Sequence, residues 1–287
     1  MSSSAAFQAA RLLLLLVVLY GAACVLLWLL RDRLIFPVRG EPTGAPAEHG
    51  LPDGQAVTIT TPDGERLAAW YLPPRGDSGT AGAVLWFHGN AEWVSGFAWL
   101  IAELRPARAA LLVVEYRGYG SSTGRATVAG ITRDALAAWD WLAGRAEIDA
   151  TRTVVYGRSI GSGPALHVAA ERPVAGVIVE SAFTSLRALA RRHYPFFPSV
   201  LAGTGFDNLA AVARLRAPML LIAGARDAIV PPAMSRQVAA AAAGPADLWI
   251  VPDADHNTVW ELGGDAYARR FHAFVARVTA AVAEGRE

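Results

Sequence analysis

The sequence contains no lysine, and all 26 of its basic residues are arginines. This absence excludes chemistry that needs a lysine amine, such as Schiff-base formation or the lysine of a phosphate-binding P-loop. Cysteine is also nearly absent, because Cys24 is the single cysteine of the chain. A lone cysteine excludes an internal disulfide framework and a cysteine-based zinc site. The histidines and carboxylates show no metal-ligand spacing either, so we expect neither a metal nor a cofactor.

Charge is scarce as well. Charged residues make up 18% of the chain, hydrophobic residues make up 53%, and the net charge is +1. A disordered chain has low hydrophobicity and high net charge, so that class is excluded. The near-neutral balance provides no broad basic field for nucleic acid. The length of 287 residues suits one α/β domain with an appendage.

The appendage is a long hydrophobic run near the N-terminus. Residues 12–30 form a run of 19 residues without a charge, bounded by Arg11 and by Arg31. A helix of this length measures about 28 Å, close to the ~30 Å hydrocarbon core of a bilayer. A cleaved signal peptide is the alternative, but its apolar run is usually about 7–15 residues and precedes a small-residue cleavage site. We therefore expect an uncleaved, single-pass membrane anchor.

The chain is predicted to have three parts. Residues 1–36 form the anchor, residues 37–54 form a linker rich in proline and glycine, and residues 55–287 form the globular domain. The linker is expected to lift the domain off the bilayer. Arg31, Arg33 and Arg39 follow the span, whereas only Arg11 precedes it. Positive-inside counting therefore favours a cytoplasmic domain by a small margin.

Strand and helix patterns alternate from residue 55 onwards. Two strands flank Pro62-Asp63-Gly64 and predict an antiparallel hairpin, and short continuous apolar runs follow. Such runs are typical of strands buried on both faces of a parallel sheet. The predicted strands are residues 55–60, 66–72, 83–87, 110–114, 153–156, 176–179, 219–223 and 248–251, and the predicted helices are residues 92–104, 132–142, 163–171, 233–243 and 266–283. The fold class is therefore α/β, with a mostly parallel, twisted sheet of about eight strands and helices on both faces.

The strand at residues 153–156 is followed by a G-x-S-x-G sequence that contains Gly157, Ser159 and Gly161. Reactive groups of parallel sheets lie at the carboxyl ends of the strands. A sharp strand-to-helix turn needs glycine on both sides and exposes the serine hydroxyl at a helix N-terminus. The pattern predicts a nucleophile elbow with Ser159 as the nucleophile. A phosphate-binding turn is the alternative, but its lysine is missing.

The last two strands supply a candidate acid and a candidate base. Asp227 follows the strand at 219–223, and His256 follows the strand at 248–251. The chain order of serine, aspartate and histidine matches that of a catalytic triad. Asp207, in the irregular stretch before the strand at 219–223, is a rival candidate for the acid. Asp255, beside His256, remains an alternative acid. Asp253 is interpreted as a loop-forming residue.

A turn of sequence His88-Gly89-Asn90 follows the strand at 83–87. Such a turn directs a backbone N–H into the site, so the amides of Asn90 and Ile160 are predicted to form an oxyanion hole. His88 is interpreted as a structural hydrogen-bonding residue. The glycine-rich loop at residues 115–124 is interpreted as structural as well.

Together these residues resemble the α/β-hydrolase superfamily. The sequences FHGNA at 87–91, YRGYGSSTG at 116–124, GRSIGSG at 157–163 and GARDAIVPP at 224–232 are similar to those of one subgroup. That subgroup contains single-pass, membrane-anchored serine hydrolases of the serine aminopeptidase-like and protein-depalmitoylase-like kind. The resemblance covers residues 57–282 and implies Ser159, Asp227 and His256 as the triad, with the Asn90 and Ile160 amides as oxyanion donors. The short insert at 183–217 implies a small cap, unlike the larger lids of lipases of this fold.

These residues and the resemblance predict a membrane-anchored serine hydrolase. Its substrate is expected to be a carboxylic ester or thioester, because an amide is chemically harder to cleave. The anchor and the aromatic insert favour an acyl-bearing or lipid-like substrate at the bilayer. We expect no nucleic-acid partner, because the net charge is close to zero. Two alternatives stay open, namely a membrane-tethered binding or scaffold protein on a hydrolase fold, and an acyltransferase.

Overall fold

The computed structural model describes residues 3–37, 41–75 and 80–284, and it places the predicted strands in one eight-stranded sheet. The strands are β1 (Gln55–Thr60), β2 (Arg66–Leu72), β3 (Ala81–Phe87), β4 (Ala110–Val114), β5 (Ile148–Arg158), β6 (Gly176–Glu180), β7 (Met219–Gly224) and β8 (Ala246–Val251). The helices are α1 (Ser3–Ile35), α2 (Ala98–Leu104), α3 (Val128–Ala143), α4 (Ser162–Glu171), α5 (Leu186–His193), α6 (Asn208–Val212), α7 (Pro232–Ala241) and α8 (Val259–Glu284). Short 3₁₀ turns lie at Pro46–His49, Val94–Phe97, Ser159–Gly161 and Ser199–Ala202.

The strand order is β1-β2-β4-β3-β5-β6-β7-β8. The pairs β1–β2 and β2–β4 are antiparallel, whereas β3 to β8 run parallel to one another. Phe87 at the end of β3 pairs with Gly157 near the end of β5, and Gly224 at the end of β7 pairs with Val251 at the end of β8. The carboxyl ends of these strands therefore meet at one edge of the sheet, as the sequence predicts.

The parallel strands are buried on both faces because their side chains alternate between two apolar layers. Leu85 and Phe87 of β3 pack with α3 and α4, whereas Val84 and Trp86 pack with α2 and α8. Every residue of β3, β4, β6 and β7 is buried. This explains their continuous apolar sequences, which a half-exposed strand would not need.

Several elements differ from the predicted ones at their ends. The helix predicted at 92–104 begins with a 3₁₀ turn, and α2 starts only at Ala98. The last helix begins at Val259 and is kinked at Gly264, where φ is 46°. Glycine allows this left-handed backbone without a steric cost. The predicted cap region contains α5 and α6, two short helices that the sequence patterns do not reveal.

The segment predicted as a free linker is packed against the domain over residues 41–54, which corrects that expectation. The Thr43 amide donates to the Ser121 hydroxyl at 2.9 Å, and the Trp70 indole donates to the Gly44 carbonyl at 3.1 Å. Pro46 and Leu51 are buried. Since both apolar side chains and polar backbone groups of residues 41–54 contact the domain, this stretch does not act as a free spacer. Residues 38–40 of the predicted linker lie outside the described residues.

Replacing Leu112 in β4 with alanine tests the two-layer core. Leu112 is fully buried, so Leu112→Ala should lower the free energy of unfolding by about 2–5 kcal/mol through lost burial and a residual cavity. Leu262 is 53% exposed, so Leu262→Ala should change that free energy by less than about 0.5 kcal/mol. Denaturant titration in detergent measures both. Equal effects of the two substitutions would contradict the assigned core.

Candidate active site

The turn between β5 and α4 holds Ser159 in a strained conformation. Its φ is 52°, a left-handed value that side chains other than glycine rarely adopt. A Cβ at Gly157 would collide with the Gly161 carbonyl, and a Cβ at Gly161 would collide with the Phe87 carbonyl. The two glycines are therefore needed because backbone segments approach each other too closely for a side chain. Strain of this kind is common where a side chain must be held in one position for function.

A chain of hydrogen bonds links three side chains from different strand ends. The Ser159 hydroxyl oxygen lies 2.9 Å from His256 Nε2, and His256 Nδ1 lies 2.7 Å from an Asp227 carboxylate oxygen. All three residues are buried. The structure thus brings together the serine, histidine and aspartate that the sequence predicts. In this geometry the imidazole can accept the serine proton while the carboxylate fixes its tautomer.

Asp227 is held in place by backbone donors. Its second oxygen, Oδ1, accepts hydrogen bonds from the amides of Ile229 at 2.9 Å and Val230 at 2.7 Å. The carboxylate is therefore oriented from one side by the loop after β7 and from the other by His256. A carboxylate held in this orientation is able to stabilise an imidazolium that forms on the histidine.

The rival carboxylates have other partners. Asp255 accepts hydrogen bonds from the Asn257 and Thr258 amides at 2.8 and 3.0 Å, and these bonds hold its pKa below the usual value. Asp207 caps α6 through the Ala210 amide. Asp253 pairs with Arg226 at the surface. Each rival thus stabilises a loop or a helix end, and Asp227 is the carboxylate that His256 contacts.

The loop after β3 carries Asn90, one of the two predicted oxyanion donors. The Asn90 side chain donates to the Ile35 carbonyl at the end of α1 at 2.5 Å and accepts from the Tyr119 hydroxyl at 2.9 Å. Glu92 fixes the same loop by accepting from the Gly89 amide at 2.5 Å. Asn90 and Ile160 line the cavity into which Ser159 opens. The oxyanion role of their amides stays a prediction, and this placement is compatible with it.

His88 and the glycine-rich loop have structural contacts. The His88 ring is buried beside Glu115, with 3.3 Å between Nε2 and the carboxylate. Arg117 forms ion pairs with Asp134 on α3 and with Asp63 in the hairpin turn, at 2.7 and 2.8 Å. These contacts fasten α3 and the hairpin to the end of β4.

Sequence reasoning missed Arg158, the residue before the serine. Its buried guanidinium donates to the backbone carbonyl of His256 at 2.6 Å and to a carboxylate oxygen of Glu180 at 2.9 Å, and it also pairs with Glu92. Arg158 therefore connects the serine turn, the histidine loop and the loop of Asn90. A charged residue next to the serine in the G-x-S-x-G sequence is the only sequence signal for this role.

The partner carboxylate of Glu180 is fully buried and has two further donors. The hydroxyls of Tyr156 and Tyr267 lie 3.2 and 2.7 Å from its other oxygen. Burial raises the pKa of both tyrosines well above the ordinary value, so both hydroxyls keep their protons as donors. A buried ion pair is stable only when its remaining polar atoms are also satisfied, and these tyrosines meet that need.

Ser159 opens into a cavity of about 1060 Å³. One wall comes from the predicted cap and contains Leu186, Leu189, Tyr194, Phe197 and Leu201. Another wall comes from the C-terminal part of α1, which sequence reasoning treated as an anchor alone. A large, mainly apolar cavity beside the serine suits an apolar substrate group.

Comparison with known proteins identifies the family. A sequence model described as the alpha/beta hydrolase fold matches residues 82–211. An uncharacterized protein of Mycobacterium tuberculosis is 38% identical over 233 residues, which cover 80% of this chain and 82% of that protein. The alpha/beta hydrolase domain-containing protein WAV2 of Arabidopsis thaliana is 30% identical over 74% of this chain and 75% of its own. The chain belongs to the alpha/beta hydrolase family.

Solved structures of two esterases share the fold. An esterase of Pyrococcus furiosus superposes on the hydrolase chain with a TM-score of 0.69 at 22% identity, covering 85% of this chain and 97% of that chain. An acetyl xylan esterase from a Paenibacillus species gives a TM-score of 0.60 at 20% identity, covering 77% and 83% of the two chains. These likenesses confirm the predicted α/β-hydrolase fold.

Replacing Asp227 with asparagine tests the assignment of the acid. The asparagine side chain would keep much of the loop geometry but present an amide that favours the wrong histidine tautomer, so the rate of ester cleavage by Asp227→Asn should fall about 10,000-fold. Asp255→Asn is the matched control in the adjacent loop, and its rate should stay within about threefold of wild type. Steady-state hydrolysis of a soluble ester measures both. The reverse ranking would reassign the acid to Asp255.

Replacing Arg158 with methionine tests whether the guanidinium positions His256. Arg158→Met should lower the rate at which a fluorophosphonate labels the serine by at least tenfold. The labelling is measured at a temperature at which the variant is still folded. Arg158→Lys should recover part of the rate, because an ammonium keeps the charge but cannot contact His256, Glu180 and Glu92 at once. Labelling of folded Arg158→Met at the wild-type rate would show that Arg158 serves stability alone.

Proposed function

We propose that the chain is a membrane-anchored serine hydrolase that cleaves carboxylic ester or thioester bonds. The observation that carries this proposal is the hydrogen-bonded series from Ser159 through His256 to Asp227, placed at the floor of an apolar cavity. Neither a scaffold nor a purely structural site requires this geometry together with a strained serine. Membership of the hydrolase family supports the same conclusion.

The proposed reaction begins with a proton transfer. His256 Nε2 accepts the Ser159 proton as the serine oxygen attacks the substrate carbonyl, and Asp227 stabilises the imidazolium that forms. The amides of Asn90 and Ile160 would stabilise the oxyanion of the tetrahedral intermediate. His256 then gives its proton to the leaving alcohol or thiol, which leaves an acyl group on Ser159. Water attacks this acyl-enzyme with His256 as base, and release of the acid restores the serine.

The substrate class follows from the walls of the cavity. Leucine, phenylalanine and proline side chains from the cap and leucine side chains from α1 face the volume above Ser159. These side chains would favour the transfer of an acyl chain out of water. We therefore assign an acyl-bearing or lipid-like ester or thioester as the substrate, in preference to a peptide.

The anchor assignment rests on α1. The helix over Ala6–Ile35 contains an 18-residue window with a mean hydropathy of 2.8 and is long enough to cross a membrane. A signal sequence near an N-terminus can also meet this criterion of length and hydropathy, but this helix contributes a wall of the cavity and a carbonyl that fastens the Asn90 loop. Those contacts favour its retention in the mature protein. The arginines after the span favour a cytoplasmic position of the catalytic domain.

Labelling with a fluorophosphonate tests the proposal, because such reagents modify a serine that its base has already activated. Wild-type protein in detergent should be labelled and should cleave a short soluble ester. Ser159→Ala should lose the label, and its turnover should fall by a factor on the order of 10⁶. Thermal unfolding of both proteins verifies that each is folded.

Two results would contradict the proposal. A folded wild-type protein that takes no label would support the membrane-tethered scaffold. Labelling accompanied by transfer of the acyl group to an acceptor other than water would support the acyltransferase.

A further inference from the structure

One face of α1 belongs to the catalytic domain. Within residues 12–35, the half-buried positions are Ala23, Cys24, Leu27, Leu30, Arg31, Asp32 and Ile35, whereas the remaining positions are exposed. Most of these positions recur at a spacing of three or four residues, which places them along one side of a helix. Leu27, Arg31 and Ile35 of this face line the cavity together with Ser159. This face of the helix therefore forms part of the wall of the active-site cavity.

The cap contacts the same helix as far from the active site as Tyr20. The Tyr20 hydroxyl donates to the Phe196 carbonyl at 2.9 Å, and the Tyr20 and Phe197 rings stack with 5.8 Å between centroids. Ile35 at the other end of this contact region is bonded to Asn90 beside the serine. Fifteen residues separate Tyr20 from Ile35, which corresponds to about 22 Å along a helix axis. The contact between α1 and the cap therefore extends from the active site to Tyr20 in the apolar run, while the α1 residues that line the cavity begin at Leu27.

These contacts determine the depth of the cap in a bilayer. Tyr20 lies ten residues before Leu30, the end of the charge-free run, a distance of about 15 Å along the axis. When residues 12–30 span the ~30 Å hydrocarbon core, Tyr20 lies near its middle. Phe196 and Phe197 of the cap contact Tyr20, so the surrounding segment at residues 194–200 would lie inside the leaflet on the side of the catalytic domain. We call residues 194–200 the cap tip.

The chemistry of the cap tip fits this position. Phe196 is 84% exposed, and Tyr194 and Val200 are also exposed, an apolar surface that is unfavourable in water. Backbone donors in lipid must be satisfied within the protein. This holds for four of the seven tip residues, because the amides of Tyr194 and Phe197 donate to carbonyls within the cap and prolines 195 and 198 have no N–H. Arg191 and Arg192 precede the tip and are exposed, so their long side chains are able to reach the headgroups.

We propose that α1 and the cap tip together form an acyl-chain channel that opens sideways into the leaflet. The occupant is the long acyl chain of an ester or thioester that resides in the membrane. The chain enters between α1 and the cap, and its carbonyl reaches Ser159 without leaving the bilayer. On this account α1 is part of the substrate site in addition to being an anchor. The inference rests on the proposed serine hydrolase and specifies where its substrate comes from.

Two tryptophan substitutions in α1, assayed in vesicles, test the channel. The full-length protein is reconstituted in phosphatidylcholine vesicles and assayed with a fluorogenic long-chain acyl ester dissolved in the bilayer and with a short-chain ester dissolved in water. Leu27→Trp fills the channel, so the ratio of the long-chain rate to the short-chain rate should fall at least tenfold. Leu26→Trp is the matched control, because Leu26 is 56% exposed and faces away from the cavity.

The two rates separate the channel from the proposed function. Equal ratios for Leu27→Trp, Leu26→Trp and wild type would overturn the channel while short-ester cleavage persists. Loss of short-ester cleavage and of fluorophosphonate labelling in the wild-type protein would instead overturn the serine hydrolase itself. Labelling of each variant verifies that its active site is folded.

A depth measurement tests the position of the cap tip independently of catalysis. In a Cys24→Ser background, Phe196→Cys is labelled with an environment-sensitive dye, and quenching by lipids with spin labels on their acyl chains is recorded. Asp265→Cys serves as the control, because the Asp265 side chain is 93% exposed on the kinked last helix. We expect strong quenching at residue 196 and none at residue 265. Equal, weak quenching at both positions would place the cap in water and overturn the inference.

Discussion

The buried guanidinium of Arg158 connects the parts of the active site that the sheet alone does not align. The parallel strands bring their carboxyl ends to one edge, but the loops that follow them could adopt many conformations. Arg158 contacts the carbonyl of His256, the carboxylate of Glu180 and the carboxylate of Glu92 at once. Because Glu92 also accepts a hydrogen bond from the Gly89 amide, the positions of the His256 loop and of the Asn90 loop depend on the same side chain. A charge of this kind is tolerated in the interior because each of its partners is itself hydrogen-bonded.

The same loop joins the candidate active site to α1. Asn90 contacts Ile35 on one side and Tyr119 on the other, and Phe36 is buried in the core below them. The end of α1 is therefore fixed relative to Ser159, although the first half of the helix is exposed. An anchor attached through a flexible spacer would leave the distance between enzyme and bilayer free. In the proposed anchored enzyme, the packing of residues 41–54 and the docking of α1 would fix that distance, and with it the direction from which a substrate approaches.

The predicted residues that the structure brings together are those that the sequence encodes by patterns of a few neighbouring residues. The glycines around Ser159, the apolar strands and the order of Asp227 and His256 are local patterns, and the sheet brings them together by a general rule. The parts that it missed depend on contacts between distant residues. Arg158 meets Glu180, which is 22 positions away, and Tyr20 meets Phe196, which is 176 positions away. Periodicity carries no information about such pairs. The linker was misjudged for the same reason, since proline and glycine suggest a spacer, whereas the burial of Pro46 and Leu51 depends on the surface opposite them.

Mass spectrometry of the protein after reaction with a fluorophosphonate tests the central claim most directly. The claim is that one serine of the chain, Ser159, is activated by His256 and carries the acyl group. The account predicts a single adduct, located on the peptide that contains Ser159, and slower formation of that adduct when His256 is replaced by alanine. An adduct on a different serine, or no adduct on a folded protein, would contradict it.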